Sequence, residues 1–166
     1  MAELLTTERL QPSLLDRLTD DEPGSKQESR EQRVLSVRRL RQSVLRDIAW
    51  LLNAVSLESV QNLENYPEAT DSVVNFGIPD LSGHNLSPDD MPEIEKRIRR
   101  AILDFEPRIL PNTLKIKVIT SDQFNHNAMN FDIEGDLWMQ PVPLRLYLKT
   151  QVDLETGSVE VTDRMG

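Results

Sequence analysis

The chain of 166 residues contains no cysteine. That excludes a disulfide framework, a zinc-thiolate centre and a thiol nucleophile. Histidine is scarce: His84 and His126 stand alone in polar stretches and read as surface residues. Asp122 near His126 is too thin a ligand set for a metal. No apolar run approaches the ~20 residues that a membrane-spanning helix needs. The opening residues, Met1-Ala-Glu-Leu-Leu, lack the basic region and extended apolar stretch of a secretory signal. Export is therefore not expected, and a cytoplasmic location is favoured. The chain has no glycine-rich phosphate loop, no Gly-x-Ser-x-Gly and no His-Glu-x-x-His. Nothing in the pattern asks for a cofactor, a metal or a small-molecule substrate.

Positive charge is missing from one long stretch. Ala54–Glu93 holds eight acidic residues and no Lys or Arg, whereas Glu31–Asn53 carries five Arg against Glu31 and Asp47. The net charge of −9 argues against general affinity for nucleic acid or anionic lipid. The asymmetry implies complementary faces, either within the fold or toward partners.

What is present reads as one domain with an arm. Residues 1–32 form a leucine-rich arm and linker, and 33–166 form the domain. Pro12 and Ser13 start a short helix whose Leu14, Leu15 and Leu18 share a face. Thr19–Gln32 is polar, contains Pro23-Gly24 and reads as a flexible linker. An apolar peptide on such a tether is a partner-binding candidate; the alternative is that it folds back onto the domain.

Val34–Asn53 is the strongest helix, because Val37, Leu40, Val44, Ile48 and Leu51 make a single apolar stripe. Trp50 lies off that stripe. Pro67 opens a short helix over Glu68–Asn75 that Gly77 ends as a left-handed cap. Another helix starts at a Ser87 cap or only after Asp90, because Pro92 blurs its beginning, and runs to about Phe105. Its stripe is Ile94, Ile98, Ala101, Ile102 and Phe105. Glu93–Arg97 and Glu95–Arg99 are spaced as i,i+4 ion pairs. After Pro111 the period changes to two, in segments around 114–118, 129–133 and 144–153, and a Glu155-Thr156-Gly157 turn leads into Ser158–Val161. The expected class is α+β: N-terminal helices packed on a small antiparallel β-meander, with a flexible N-terminal arm.

Glu106-Pro107-Arg108 sits where the helical half meets the sheet half. Pro107 stiffens the corner, and Arg108 carries a fork suited to a carboxylate or backbone carbonyls. This suits docking; the plainer alternative is an internal Glu–Arg pair capping the helix end. Asp104 and Glu106 form the one carboxylate pair a glycosidase reading can use. Arg100 and Arg108 beside them would depress a carboxylate pKa, where an acid catalyst needs it raised. No catalytic residue is assigned.

Four segments in register carry a resemblance: Pro12-Ser-Leu-Leu-Asp-Arg-Leu18, Leu40–Asn53, Ser72-Val-Val-Asn-Phe-Gly-Ile-Pro-Asp-Leu81 and Phe105-Glu-Pro-Arg-Ile-Leu-Pro111. Together they resemble the TssE family of type VI secretion baseplate subunits, part of the lysozyme-like tail-wedge family shared with contractile phages. The resemblance implies a non-enzymatic, cytoplasmic structural protein. Its implied partners are other baseplate wedge subunits and contractile sheath proteins. Glu106 and Arg108 would be the docking pair. The sheet would start the sheath by pairing its edge with sheath strands, the candidate edge lying within Leu144–Val161, with Leu146 and Leu148 as contacts. The lysozyme label leaves a peptidoglycan hydrolase as one alternative reading, and a regulatory anti-adaptor module is another.

Overall fold

The computed structural model describes residues 13–19, 37–82, 88–119, 128–139 and 142–164. Among the described residues four α-helices precede four strands: α1 (Leu14–Leu18), α2 (Val37–Leu52), α3 (Pro67–Thr70), α4 (Met91–Phe105), β1 (Lys115–Ile119), β2 (Ala128–Leu137), β3 (Leu144–Asp153) and β4 (Val159–Asp163). The strands form one antiparallel sheet in the order β1-β2-β3-β4. This is the α+β meander that the change of period predicts.

Alternation decides which face of the sheet is covered. Met129, Phe131, Ile133 and Leu137 of β2 and Leu146, Leu148 and Val152 of β3 point to one side and are buried. Across the pleat, Asp132 pairs in register with Lys149 and Asp136 with Arg145. On the buried side α2 contributes Leu40, Val44, Ile48, Leu51 and Leu52, and α4 contributes Ile94, Ile98 and Ile102. Each such side chain contributes about 1.5–3 kcal/mol on burial. The predicted stripes are therefore the core, except that Val37 at the start of α2 is exposed.

Three local expectations need correction. The helix expected over Glu68–Asn75 stops at Thr70, and a separate 3-10 turn, Val73–Asn75, follows. Ser72 ends the first and caps the second, donating to the Ala69 carbonyl and accepting from the Val74 N–H. Serine competes with the helix in this way through its own hydroxyl. Gly77 is not a helix cap. Its φ of 135° lets the chain pass beside Ala54 and form a parallel bridge between Val55 and Ile78. Finally, Glu95 does not pair with Arg99. It accepts the Val118 N–H at 2.8 Å, while Arg99 donates to the Pro111 carbonyl. The other pair is present, with Arg97 at 3.0 Å from Glu93. The α4 helix begins after Asp90. Ser87, Asp122, His84 and His126, most of the proposed arm and the Thr19–Gln32 linker after Thr19 lie outside the described residues.

Candidate functional site

The Glu106-Pro107-Arg108 corner is built inward. Glu106 ends α4 with its N–H bonded to the Ile102 carbonyl. Its side chain is 3% exposed and that of Arg108 is 16% exposed. Arg108 reaches both carboxylate oxygens of Glu106, Nε to Oε1 at 2.6 Å and Nη2 to Oε2. The same guanidinium donates to Ser43 Oγ at 2.7 Å and Asp47 Oδ2 at 2.6 Å, both on α2. Burial works against its charge, but Glu106 and Asp47 outweigh it and hold the guanidinium pKa above its ordinary value. The corner thus locks the end of α4 to the middle of α2.

A second clamp continues from the first. Ser43 donates to Asp16 Oδ2 at 2.8 Å, and Arg46 donates to Asp16 Oδ1 at 2.8 Å and to Asp47 Oδ1. Asp16 belongs to α1, where it also closes a capping box with Ser13. One polar chain therefore runs from Glu106 through Arg108, Ser43 and Asp47 to Arg46, Asp16 and Ser13. Spacings of three and four on α2 put Ser43, Arg46 and Asp47 on one ridge beside the apolar stripe. That ridge, with a serine set among apolar neighbours, is the signal in the sequence for residues that composition and motif reading passed over.

The consequence for α1 is unusual. The helix does dock on its own domain, but through its polar side. Its leucines point away: Leu14, Leu15 and Leu18 are 69, 44 and 74% exposed. Trp50 of α2 is exposed nearby, with Arg46 stacked over its ring at 5.0 Å. A cleft of about 380 Å³ lies between Ser13, Trp50, Phe76, Phe105 and Pro107.

Leu146 and Leu148 require a correction as contact residues. Both belong to β3, an interior strand, and both side chains are core. Within Leu144–Val161 the outer strand is β4. Its ladder with β3 runs through Ser158 and Arg164, so alternation turns the backbone groups of Val159 and Val161 outward. Asn53 covers Val159, donating to its carbonyl and accepting its N–H at 2.8 and 3.0 Å. No side chain among the described residues caps Val161 in this way. At the other edge, Glu95 caps Val118 of β1.

Asp16 makes the α1 clamp sensitive to acid. Burial raises its pKa, but bonds from Arg46, Ser13 and Ser43 outweigh this and hold it far below the ordinary 3.8. A depressed carboxylate contributes stability above its unfolded value and loses it as the pH falls. On acid titration followed by amide exchange, the Asp16 and Thr19 amides are expected to lose protection below about pH 4, while β2 and β3 stay protected. Protection of α1 unchanged to the acid limit of the fold would contradict the clamp.

Among the described residues no group of acidic side chains and histidines is arranged to hold a metal, and no helix is long and apolar enough to cross a membrane. Asp104 pairs with Arg100 at 3.5 Å, and Glu106 is engaged on both oxygens by Arg108. The two carboxylates are thus held apart, each on its own arginine. No curated protein matches the chain. The family described as Baseplate wedge protein gp25 matches residues 38–142, from the start of α2 to the approach to β3. That span contains the α2 ridge and the Glu106–Arg108 corner, and over it the chain belongs to this family of structural baseplate proteins.

Proposed function

We propose that this protein is a non-catalytic, cytoplasmic baseplate component of a contractile type VI secretion machine. It docks to other wedge subunits and starts the sheath by strand pairing. The observation that carries the docking part is the orientation of α1: a helix fixed by serine, aspartate and arginine that presents its leucines to solvent. Exposed apolar side chains on a pinned helix lose little entropy on binding. The Glu-Pro-Arg corner serves this surface from beneath. Arg108 bonds Ser43, which bonds Asp16, so Glu106, Pro107 and Arg108 position Leu14, Leu15 and Leu18 while Pro107 lines the adjoining cleft.

The strand-pairing part rests on β4. The outward N–H and C=O of Val161 offer an incoming strand its bonds, although Asn53 covers Val159 of the same edge as Glu95 covers Val118 of β1. Val161→Pro removes one outward donor while sparing the β3 ladder. The expected result is a folded protein that no longer seeds polymerisation of purified sheath subunits. Seeding at the wild-type rate by that variant would rule out the β4 edge.

A further inference from the structure

The segment between α2 and α4 carries a surface that neither the α1 helix nor the β4 edge uses. Val60 and Val73 are 74 and 81% exposed, and Tyr66 and Val74 are also exposed. Val60 also lines an open groove of about 600 Å³, with Glu58, Leu63, Glu64, Pro67 and Thr70 among others.

These side chains do not stand out because the segment is loose. Asn75 is buried and ties the segment together, its Oδ1 accepting the Glu58 N–H and its Nδ2 donating to the Thr70 carbonyl, both at 2.9 Å. The Ser56 N–H bonds the Ile78 carbonyl and the Ile78 N–H bonds the Ala54 carbonyl, closing the base of the segment. Leu63 is buried beneath the groove. A frame tied at both ends holds valines in water, where a cluster of this kind marks an interaction surface.

Charge selects the partner. The groove is lined by Glu58 and Glu64, Glu68 lies on adjoining α3, and the sequence supplies no cation from Ala54 to Glu93. The cations of α4 that line the adjoining pocket with Glu58, Ser59 and Thr70 are already engaged, Lys96 and Arg97 by Glu93, and Arg100 by Asp71 at 3.0 Å and by Asp104. An anionic partner would be repelled, and an aliphatic one without charge would leave the carboxylates facing apolar surface. In a second copy, Arg41 and Arg46 of the basic helix α2 would not be free for this groove, being committed to Asp163, Asp16 and Asp47.

We propose that the Glu58–Thr70 groove and the flanking valines dock a segment of a partner protein that interleaves Lys or Arg with aliphatic side chains. The test uses the full chain, isotopically labelled, titrated with a short synthetic peptide of alternating Lys and Leu and with its Glu/Leu counterpart. Saturable amide shifts confined to residues 57–76, with the Lys/Leu peptide alone, are expected. Glu58→Gln combined with Glu64→Gln should weaken that binding by about tenfold, and so should Val60→Ser combined with Val73→Ser. All four positions are exposed, so unchanged core amides will confirm that the variants fold. Shifts spread over every acidic surface, no shifts, or an equal response to the Glu/Leu peptide would overturn the proposal. Shifts at the same amides on concentrating the protein alone would also overturn it, by making a second copy the occupant.

Discussion

Replacing Arg108 by alanine is expected to lower the unfolding free energy by about 3–5 kcal/mol. Glu106 would keep its charge at the buried end of α4 and lose both of its bonds to the guanidinium. Ser43 and Asp47 would lose a donor in the same step. An uncompensated buried charge costs more than the pair contributes, so Glu106→Gln should be the milder change. Urea denaturation measures both, and the midpoint should fall with little change in slope. A double-mutant cycle between Arg108→Ala and Asp47→Ala should give a coupling of about 0.5–3 kcal/mol. A loss below about 1 kcal/mol for Arg108→Ala would mean that the corner is not a structural lock. Charge reversal at Arg108 is therefore a test of stability before it is a test of docking, because it would set a third carboxylate against Glu106 and Asp47.

Gly77→Ala should be comparably severe for a different reason. A Cβ at Gly77 would stand 2.4 Å from the Ala54 carbonyl oxygen and 2.8 Å from the Ser56 nitrogen. These are backbone atoms and cannot swing aside. The φ of 135° also disfavours any L side chain. Either the Val55–Ile78 bridge opens or the strain is stored, and a cost of about 3 kcal/mol follows from the combined clash and dihedral penalty. The amides of Ser56 and Ile78, bonded to Ile78 and Ala54, should be the first to exchange faster. A variant within about 1 kcal/mol of the wild type, with those amides still protected, would contradict the close approach.

The core was legible in the sequence where periodicity was strong. Leu40, Val44, Ile48 and Leu51 follow from spacing on α2, and Phe131 and Ile133 from alternation on β2. Such patterns are read directly because burial on one face is a local property of each element. The polar relay was less legible, because it joins residues far apart in the chain: Arg108 and Ser43 are 65 positions apart, and Arg46 and Asp16 are 30 apart. Glu106-Pro107-Arg108 stood out as a motif, but its orientation depends on α2 packing beside it. The same limit explains Leu146 and Leu148. Alternation places them on the buried face, but only the strand order shows that β3 is interior and β4 the edge. Gly77 reads as a cap in the sequence, because its partner, Ala54, is distant along the chain.

The proposed docking rests on α1, a helix held by its polar side with its leucines exposed. The most direct measurement is the affinity of the Leu14→Ser, Leu18→Ser double variant for purified baseplate wedge subunits, taken beside its thermal midpoint. The midpoint should be unchanged, since neither side chain is buried, and binding should weaken by about thirtyfold, the loss of a hot spot of about 2 kcal/mol. Wild-type affinity in the double variant, or a fold that collapses when these exposed leucines are removed, would contradict that docking.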